Sequence, residues 1–140
     1  MMKYSRQKEL ILNSLKERRD HPTADMLYFD LKAGTPDIGI ATVYRNLSKL
    51  SEEGKILRLH FAGEADRFDG NTAPHSHLVC SVCKNIYDIF PMSAETEALN
   101  DIANRLSQEI GAEHLGTEFN IRGVCCSCKR ASGSLGGEVL

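Results

Sequence analysis

Four of the five cysteines stand in two Cys-x-x-Cys pairs, and this arrangement constrains the fold of the 140-residue chain most strongly. The pairs are Cys80/Cys83 and Cys125/Cys128, with 41 residues between them. Two thiolates three positions apart on a tight turn can bind one cation, and two such turns complete the tetrahedral four-sulfur site that Zn²⁺ prefers. The sequence therefore predicts a structural zinc ion that joins the two ends of one domain.

A disulfide, a redox pair or buried unliganded thiols are the alternatives for these cysteines. The amino terminus is charged and helix-patterned instead of forming an apolar signal core, which indicates a cytoplasmic protein, where structural disulfides are rare. Neither pair begins a helix within a βαβ unit, as a redox motif should. Structural zinc is therefore the favoured interpretation, and Cys126 has no assigned role. The apolar runs are too short to cross a bilayer, so no membrane association is expected.

Apolar periodicity in the first half predicts three helices followed by a strand hairpin. The predicted helices run from Ser5 to about Arg19, from a cap at Thr23 to near Gly34, and over residues 41–53. Residues 55–61 and 65–69 alternate as strands joined by a turn at Ala62-Gly63-Glu64. Three helices and a hairpin constitute a winged helix-turn-helix domain.

The second half has the pattern of a small α/β domain. A linker-like stretch at residues 70–74 precedes predicted strands at 77–79, 86–90 and 119–124 and a helix over 93–110. The predicted organisation is thus α+β, with a winged-helix domain at 1–70, a small α/β metal-binding domain at 71–129, and a disordered tail at 130–140.

The charge is divided unevenly along the chain. Residues 1–60 carry 11 Lys/Arg and 8 Asp/Glu, whereas residues 61–140 carry 6 and 11. A basic excess in the first half suits contact with phosphates. In the third helix Tyr44, Arg45 and Lys49 are expected to face outward.

Histidines and carboxylates near the first cysteine pair form a second candidate metal site. His75 and His77 stand at i and i+2, which places both imidazoles on one side of an extended segment. Asp88, Asp69 and His21 would complete an N/O set that suits Fe(II), Mn(II) or Zn(II). Ordinary surface or loop positions for each of them are the alternative.

Several motifs, taken in order, resemble those of ferric uptake regulator (Fur) family proteins. They are His21-Pro22-Thr23-Ala24-Asp25, Ala41-Thr42-Val43-Tyr44-Arg45-Asn46-Leu47, Arg67-Phe68-Asp69, His75-Ser76-His77 with Cys80/Cys83, and Gly123-Val124-Cys125 with Cys128. The match spans residues 5–129. Asp at both 69 and 88 makes the chain most similar to the peroxide-sensing (PerR) branch, since iron-uptake regulators more often carry Glu there.

The resemblance implies a metal-dependent transcription repressor, not an enzyme, that binds a palindromic operator in double-stranded DNA as a homodimer. It implies that His21, Asp69, His75, His77 and Asp88 bind regulatory Fe²⁺ or Mn²⁺ and that the four paired cysteines hold Zn²⁺. Peroxide would react with bound iron and oxidise His21 or His75, releasing metal and DNA.

The third helix supplies the candidate DNA contacts, which are Thr42, Tyr44, Arg45, Asn46 and Lys49. Tyr44 would contact thymine methyl groups, Arg45 bases or phosphate, and Lys49 phosphate. Packing of Tyr44 at the edge of the helix is the alternative.

The chain departs from the family pattern in two places. The segment before the first helix is short, which puts any DNA contact from it in doubt. Pro74 and Ser76 stand where relatives often carry ligands of an accessory third metal site, so that site is not expected.

Two other functions are also compatible with the sequence. An iron- or zinc-uptake regulator would use the same scaffold without a response to peroxide. A metal-dependent hydrolase could use the same three histidines and two aspartates, although the sequence has no His-Glu-x-x-His motif, nucleophile elbow or phosphate loop.

Overall fold

The computed structural model describes residues 2–132, which form five helices and five strands. In chain order they are α1 (Met2–Glu17), α2 (Ala24–Gly34), α3 (Ile40–Glu52), β1 (Leu57–Leu59), β2 (Arg67–Asp69), β3 (Ser76–Cys80), β4 (Ile86–Ile89), α4 (Ser93–Glu109), β5 (Asn120–Gly123) and α5 (Cys126–Ser132). The fold is α+β, as predicted. The chain divides into two compact units between Ala73 and Pro74.

The first unit is a winged helix-turn-helix with one apolar core. Its buried residues come from all three helices and from the hairpin: Ile11, Leu15, Ala24, Leu27, Leu31, Ile38, Val43, Leu47, Leu50, Ile56 and Phe68. Each fully buried Leu or Ile contributes about 1.5–3 kcal/mol relative to an exposed one. This core fixes α3 against α1 and α2 and leaves the polar face of α3 exposed.

The ends of α2 and α3 are set by local sequence. The Thr23 side chain accepts a hydrogen bond from the Met26 N–H at 3.1 Å, which caps α2 as expected. After α3, Gly54 adopts a φ of 73°, and the Lys55 N–H donates to the Leu50 carbonyl at 2.9 Å. A left-handed residue of this kind ends a helix, and glycine adopts it without steric cost.

The hairpin is shorter than predicted. Strand β1 pairs antiparallel with β2 over three residues, with Leu57 opposite Asp69 and Leu59 opposite Arg67. Beyond Leu59 the two segments are joined by side chains instead, since Asp66 accepts a bond from Arg58 Nε at 2.8 Å and lies 2.7 Å from His60 Nδ1. The alternation of apolar and polar residues over 55–61 therefore predicted which side chains are exposed. It also predicted longer strands than the three-residue strands that pair.

The second unit contains a three-stranded sheet in the order β4-β3-β5. Strand β3 pairs antiparallel with β4, with His77 opposite Asp88, and parallel with β5, with Cys80 opposite Gly123. The chain passes from β3 to β5 through β4 and α4, which together form the long crossover that a parallel pair requires. Of the described residues of this unit, only Cys80, Ile86 and Cys125 are both apolar and buried, so its core is small.

Two predicted boundaries were wrong. The tail was expected to begin at residue 130, but residues 126–132 form α5, which starts within the second cysteine pair; the remainder of the predicted tail, 133–140, lies outside the described residues. Helix α1 begins at Met2 instead of Ser5. Over residues 2–132, no helix combines the length and apolar character needed to cross a bilayer.

Candidate functional site

The four paired cysteines converge on one point in the second unit. Their Sγ atoms all lie within 4.8 Å of one another. Cys80 ends β3, Cys83 follows in the turn, and Cys125 and Cys128 lie just after β5 and in α5. Because β3 and β5 pair in parallel, both turns leave the same end of the sheet. The topology therefore places the two cysteine turns side by side.

Backbone geometry prepares Cys80 for the thiolate form. Its Sγ accepts hydrogen bonds from the N–H groups of Cys83 and Cys125, each at 3.4 Å. These bonds, that of Cys125 first, lower the pKa of Cys80 to about 5. In the same turn Lys84 has a φ of 66°, and its N–H donates to the Cys80 carbonyl at 3.0 Å. This is the closed turn that two thiolates need to share a cation.

Two other thiols of the cluster have pKa values shifted in opposite directions. A hydrogen bond to Cys125 raises the pKa of Cys128 to about 12, whereas a hydrogen bond from Tyr87 lowers the pKa of Cys125. Four adjacent thiolates would repel one another. A divalent cation removes that repulsion, and the all-sulfur donor set suits zinc. No sequence motif pointed to a role for Tyr87.

Cys126 lies outside this cluster. It is exposed, whereas Cys80 and Cys125 are buried. Cys126 lies between Cys125 and Cys128 in the sequence, but it is not one of the four clustered cysteines.

The second unit also presents an imidazole and carboxylate cluster. Nε2 of His75 and Nε2 of His77 lie 3.1 and 3.3 Å from the same Asp88 carboxylate oxygen. The antiparallel register that sets His77 opposite Asp88 explains the second contact. The His75 ring packs edge-on to His77 at 4.5 Å and stacks on Phe90 at 5.3 Å. The two histidines therefore lie together, as their i, i+2 spacing predicted.

The first unit holds a separate imidazole and carboxylate pair. His21 Nε2 lies 3.2 Å from an Asp69 carboxylate oxygen, and both residues are buried. The other Asp69 oxygen accepts the Asn71 N–H at 2.9 Å. Asp69 ends the wing strand β2, while His21 precedes α2, so tertiary structure alone brings them together.

The backbone around His21 is held in an uncommon conformation. His21 has a φ of 52°, in the left-handed region that few residues other than glycine occupy. Two bonds to β2 hold it: Arg67 Nη1 donates to the His21 carbonyl and the Phe68 N–H donates to the Pro22 carbonyl, both at 3.0 Å. Such local strain clusters at functional sites. Arg67 thus positions the His21 backbone, a role that its place in the Arg67-Phe68-Asp69 motif did not indicate.

The chemistry of these donors is distinct from that of the thiols. Imidazole nitrogens and carboxylate oxygens are harder ligands and suit Fe(II), Mn(II) or Zn(II). The first unit supplies one of each through His21 and Asp69, and the second supplies His75, His77 and Asp88. Each unit thus presents metal-binding groups in mutual contact.

The candidate DNA contacts on α3 divide into two groups. Tyr44, Arg45 and Lys49 are exposed and Thr42 is half-buried. Asn46 is buried, with 4% of its surface exposed, and its Nδ2 donates to the Thr42 carbonyl at 3.0 Å. Asn46 thus faces the interior of the first unit, where its amide binds the backbone of α3. The four other candidate residues are the ones that DNA could contact.

The chain belongs to the Ferric uptake regulator family, whose model matches residues 1–118. It is 34% identical, over 88% of its length and 79% of the relative's, to the peroxide-responsive repressor PerR of Staphylococcus epidermidis. Its structure resembles that of the iron-containing ferric uptake regulator of Francisella tularensis, with a TM-score of 0.73, 27% identity and coverage of 87% and 90% of the two chains. The Campylobacter jejuni peroxide stress regulator is also similar, with a TM-score of 0.68, 29% identity and coverage of 89% and 90%.

Proposed function

We propose that this protein is a metal-dependent DNA-binding transcription repressor that senses peroxide by oxidation of a ligand histidine. The observation that carries the proposal is the pair of aspartates, Asp69 and Asp88, each already in contact with histidine. They stand in a chain 34% identical to a repressor named for its response to peroxide.

The regulatory metal in this proposal is held by both units. His21 and Asp69 of the first unit and His75, His77 and Asp88 of the second bind one Fe(II) or Mn(II). A cation bound by residues of both units favours one arrangement of the DNA-binding unit. By linkage, metal then raises DNA affinity and DNA raises metal affinity by the same factor. The zinc bound by the four cysteines has a structural role.

The DNA-binding surface in this proposal is the exposed face of α3. Tyr44, Arg45 and Lys49 lie on that face, with Thr42 at its edge. In helix-turn-helix proteins the second helix of the motif enters the major groove, and a dimer reads two half-sites. A homodimer therefore places two α3 helices on a palindromic operator.

The homodimer surface is supported by apolar exposure in the second unit. No residue of α4 is buried, and Ile102, Leu106 and Ile110 are 52%, 49% and 82% exposed. Strand β5 lies at the edge of the sheet, with Ile121 42% exposed. Contiguous exposed apolar surface marks association sites, and the apolar positions of α4 lie one helical turn apart. We infer that a second copy of the chain covers it.

The peroxide response depends on the ligand histidines. Bound Fe(II) supplies the chemistry with peroxide that adds one oxygen atom to an imidazole, and His21 and His75 are the candidate targets. An oxidised imidazole is a weaker ligand, so its unit releases the metal. Loss of metal lowers DNA affinity through the same linkage that raised it.

The test compares two metals on one protein. The zinc-containing protein is loaded with Fe(II) or Mn(II), and a binding duplex is selected from a random DNA pool with the manganese form. Binding to that duplex is then measured before and after a low dose of peroxide. We expect the iron form alone to lose binding and to gain one oxygen atom on the peptide carrying His21 or His75.

The chain contains its own controls for this experiment. His60 and His114 lie outside both candidate metal sites and contact Asp66 and Thr117. Their peptides should stay unmodified. Oxidation spread equally over all five histidines, or retained DNA binding in oxidised protein, would contradict peroxide sensing.

A metal-uptake regulator is the second candidate function. It is favoured by the similarity to the iron-containing ferric uptake regulator of Francisella tularensis. In that case stripping and restoring Fe(II) would switch DNA binding, and peroxide would leave the histidines unmodified. A hydrolase is disfavoured because the relatives are named as repressors and regulators.

A further inference from the structure

One contact on α3 gives a role to a residue that neither metal site uses. The Tyr44 hydroxyl donates a hydrogen bond to Asp25 Oδ1 at 3.0 Å, across the α2 and α3 pair. We propose that Asp25 is a positioning residue that fixes Tyr44 for base recognition and keeps it off the phosphates. The inference rests on the proposed function, since it requires that α3 contacts DNA.

The carboxylate of Asp25 is held in a defined place. It lies in the first turn of α2, one residue before Met26, whose N–H is bound by the Thr23 cap. A carboxylate in this turn is also stabilised by the helix dipole. Helix α2 packs on α3 through the buried Leu27 and Leu47. The Asp25 backbone is therefore held in place at the start of α2, and its exposed carboxylate accepts the Tyr44 hydrogen bond from there.

The bond to Asp25 leaves the Tyr44 ring available. Tyr44 is still 47% exposed, so a side chain with two rotatable angles is bound at its tip while part of it remains accessible to DNA. Consistent with this contact, the hydrogen bond to Asp25 raises the pKa of Tyr44. Fixing the ring before binding reduces the ordering cost on association.

The direction of the bond determines what Tyr44 can recognise. Its hydroxyl hydrogen is engaged by Asp25, so only the oxygen lone pairs remain for DNA. In the major groove these accept from adenine N6 or cytosine N4, while the ring edge contacts a thymine methyl group. Acceptor atoms, guanine O6 and N7 and the phosphate oxygens, are disfavoured. The negative charge of Asp25 adds repulsion toward phosphates.

Substitution of Asp25 should change how the protein discriminates between DNA sequences. Asp25→Ala frees the hydroxyl to donate and removes the charge, so binding to unrelated DNA should strengthen while binding to the selected duplex weakens. Asp25→Asn keeps an acceptor for the hydroxyl and removes only the charge. It should retain most base discrimination and gain mainly in non-specific affinity.

The experiment measures a discrimination ratio, defined as affinity for the selected duplex divided by affinity for a scrambled duplex of equal length. The manganese-loaded full chain is compared with D25A, D25N, Y44F and the double variant D25A/Y44F. The matched control is Glu9→Gln, which removes an exposed carboxylate from α1 in the same unit. Metal content and thermal unfolding verify that each variant is folded.

We expect D25A and Y44F each to lower the ratio by about fivefold or more, the scale of one lost base contact. The double variant should fall no further than D25A, and E9Q should match the wild type. The salt dependence of non-specific binding should increase in D25A and D25N alike. Tyrosine absorbance should also show one of the four tyrosines titrating at lower pH in D25N.

Two results overturn the inference in distinguishable ways. A wild-type protein that binds no duplex refutes the proposed function and the inference with it. Normal wild-type binding with an unchanged ratio in D25A, or with additive losses in the double variant, refutes the role of Asp25 alone.

Discussion

At the scale of single residues, two positions in the first unit are constrained by their backbone. One has an uncommon conformation, and the other lies very close to a neighbouring segment. His21 has a positive φ, and Gly70 lies directly after the buried Asp69. A Cβ built on Gly70 would lie 2.7 Å from the carbonyl carbon and oxygen of Leu15. The chain can pass α1 at this point only because residue 70 has no side chain.

Gly70→Ala should therefore destabilise the first unit. The clash is with backbone atoms, which cannot rotate away, so we expect a loss of about 1–3 kcal/mol in the free energy of unfolding, as for other overpacked sites. Urea unfolding followed by circular dichroism measures it.

The control is Gly34→Ala at the end of α2, where an added Cβ would meet nothing within 4 Å. That variant should be as stable as the wild type or slightly more so, because alanine favours helix. Equal stability of the two variants would show that the Leu15 backbone can move aside.

At the scale of secondary structure, the helices differ in what they bury. Helix α3 buries Val43, Leu47 and Leu50 within the first unit, whereas α4 buries nothing within the described chain. Yet α4 is long and has an amphipathic pattern, which proteins use to cover an apolar surface. The proposed association of two chains would cover the apolar face of α4.

Leu106→Glu should shift the protein from dimer to monomer. The substitution places a charge in the proposed apolar interface, where it would be desolvated without a partner. Sedimentation velocity across a concentration series measures the shift, expected to exceed about tenfold in the dissociation constant.

Phe29→Glu is the matched control, since Phe29 is 72% exposed on α2 in the first unit. It should leave the oligomeric state unchanged. A Leu106→Glu variant that remains dimeric at every concentration would exclude the exposed face of α4 as the interface.

At the scale of the whole molecule, the two units are stabilised by different means. The first has a core of eleven buried apolar residues, which we expect to form without a ligand. The described part of the second buries only three apolar residues, two of them cysteines of the metal cluster. A domain with so small a core needs a metal, a partner or both.

Removal of zinc by a strong chelator should unfold the second unit and spare the first. Hydrogen exchange followed by mass spectrometry should show lost protection in peptides from residues 74–132 and retained protection in those from 6–73. Addition of zinc should restore protection, since metal binding supplies folding free energy.

A paired substitution tests the same point without a chelator. Cys125→Ser should lose zinc and the protection of the second unit, whereas Cys126→Ser should retain both, because Cys126 is exposed and outside the cluster. Uniform loss of protection along the whole chain would show that the first unit depends on zinc as well.

The amino-acid sequence by itself determined the elements and much of the chemistry. Apolar periodicity, the Thr23 cap and Gly54 were sufficient for the helices of the first unit, because these signals act within a few residues. The spacing of the cysteines predicted their cluster, since two short turns and one tetrahedral cation leave few alternatives. The i, i+2 spacing likewise predicted that His75 and His77 lie together.

Tertiary structure alone decided how distant residues meet. The pairing of β3 with β5 set the two cysteine turns together, and packing of β2 beside the loop before α2 joined His21 to Asp69. Arg67, Tyr87 and Asp25 have roles only through such contacts. Asn46 was expected to contact DNA, but it is buried and its amide donates to a carbonyl of its own helix. Local patterns specify local geometry, but a contact between residues far apart in the chain depends on how the whole core packs.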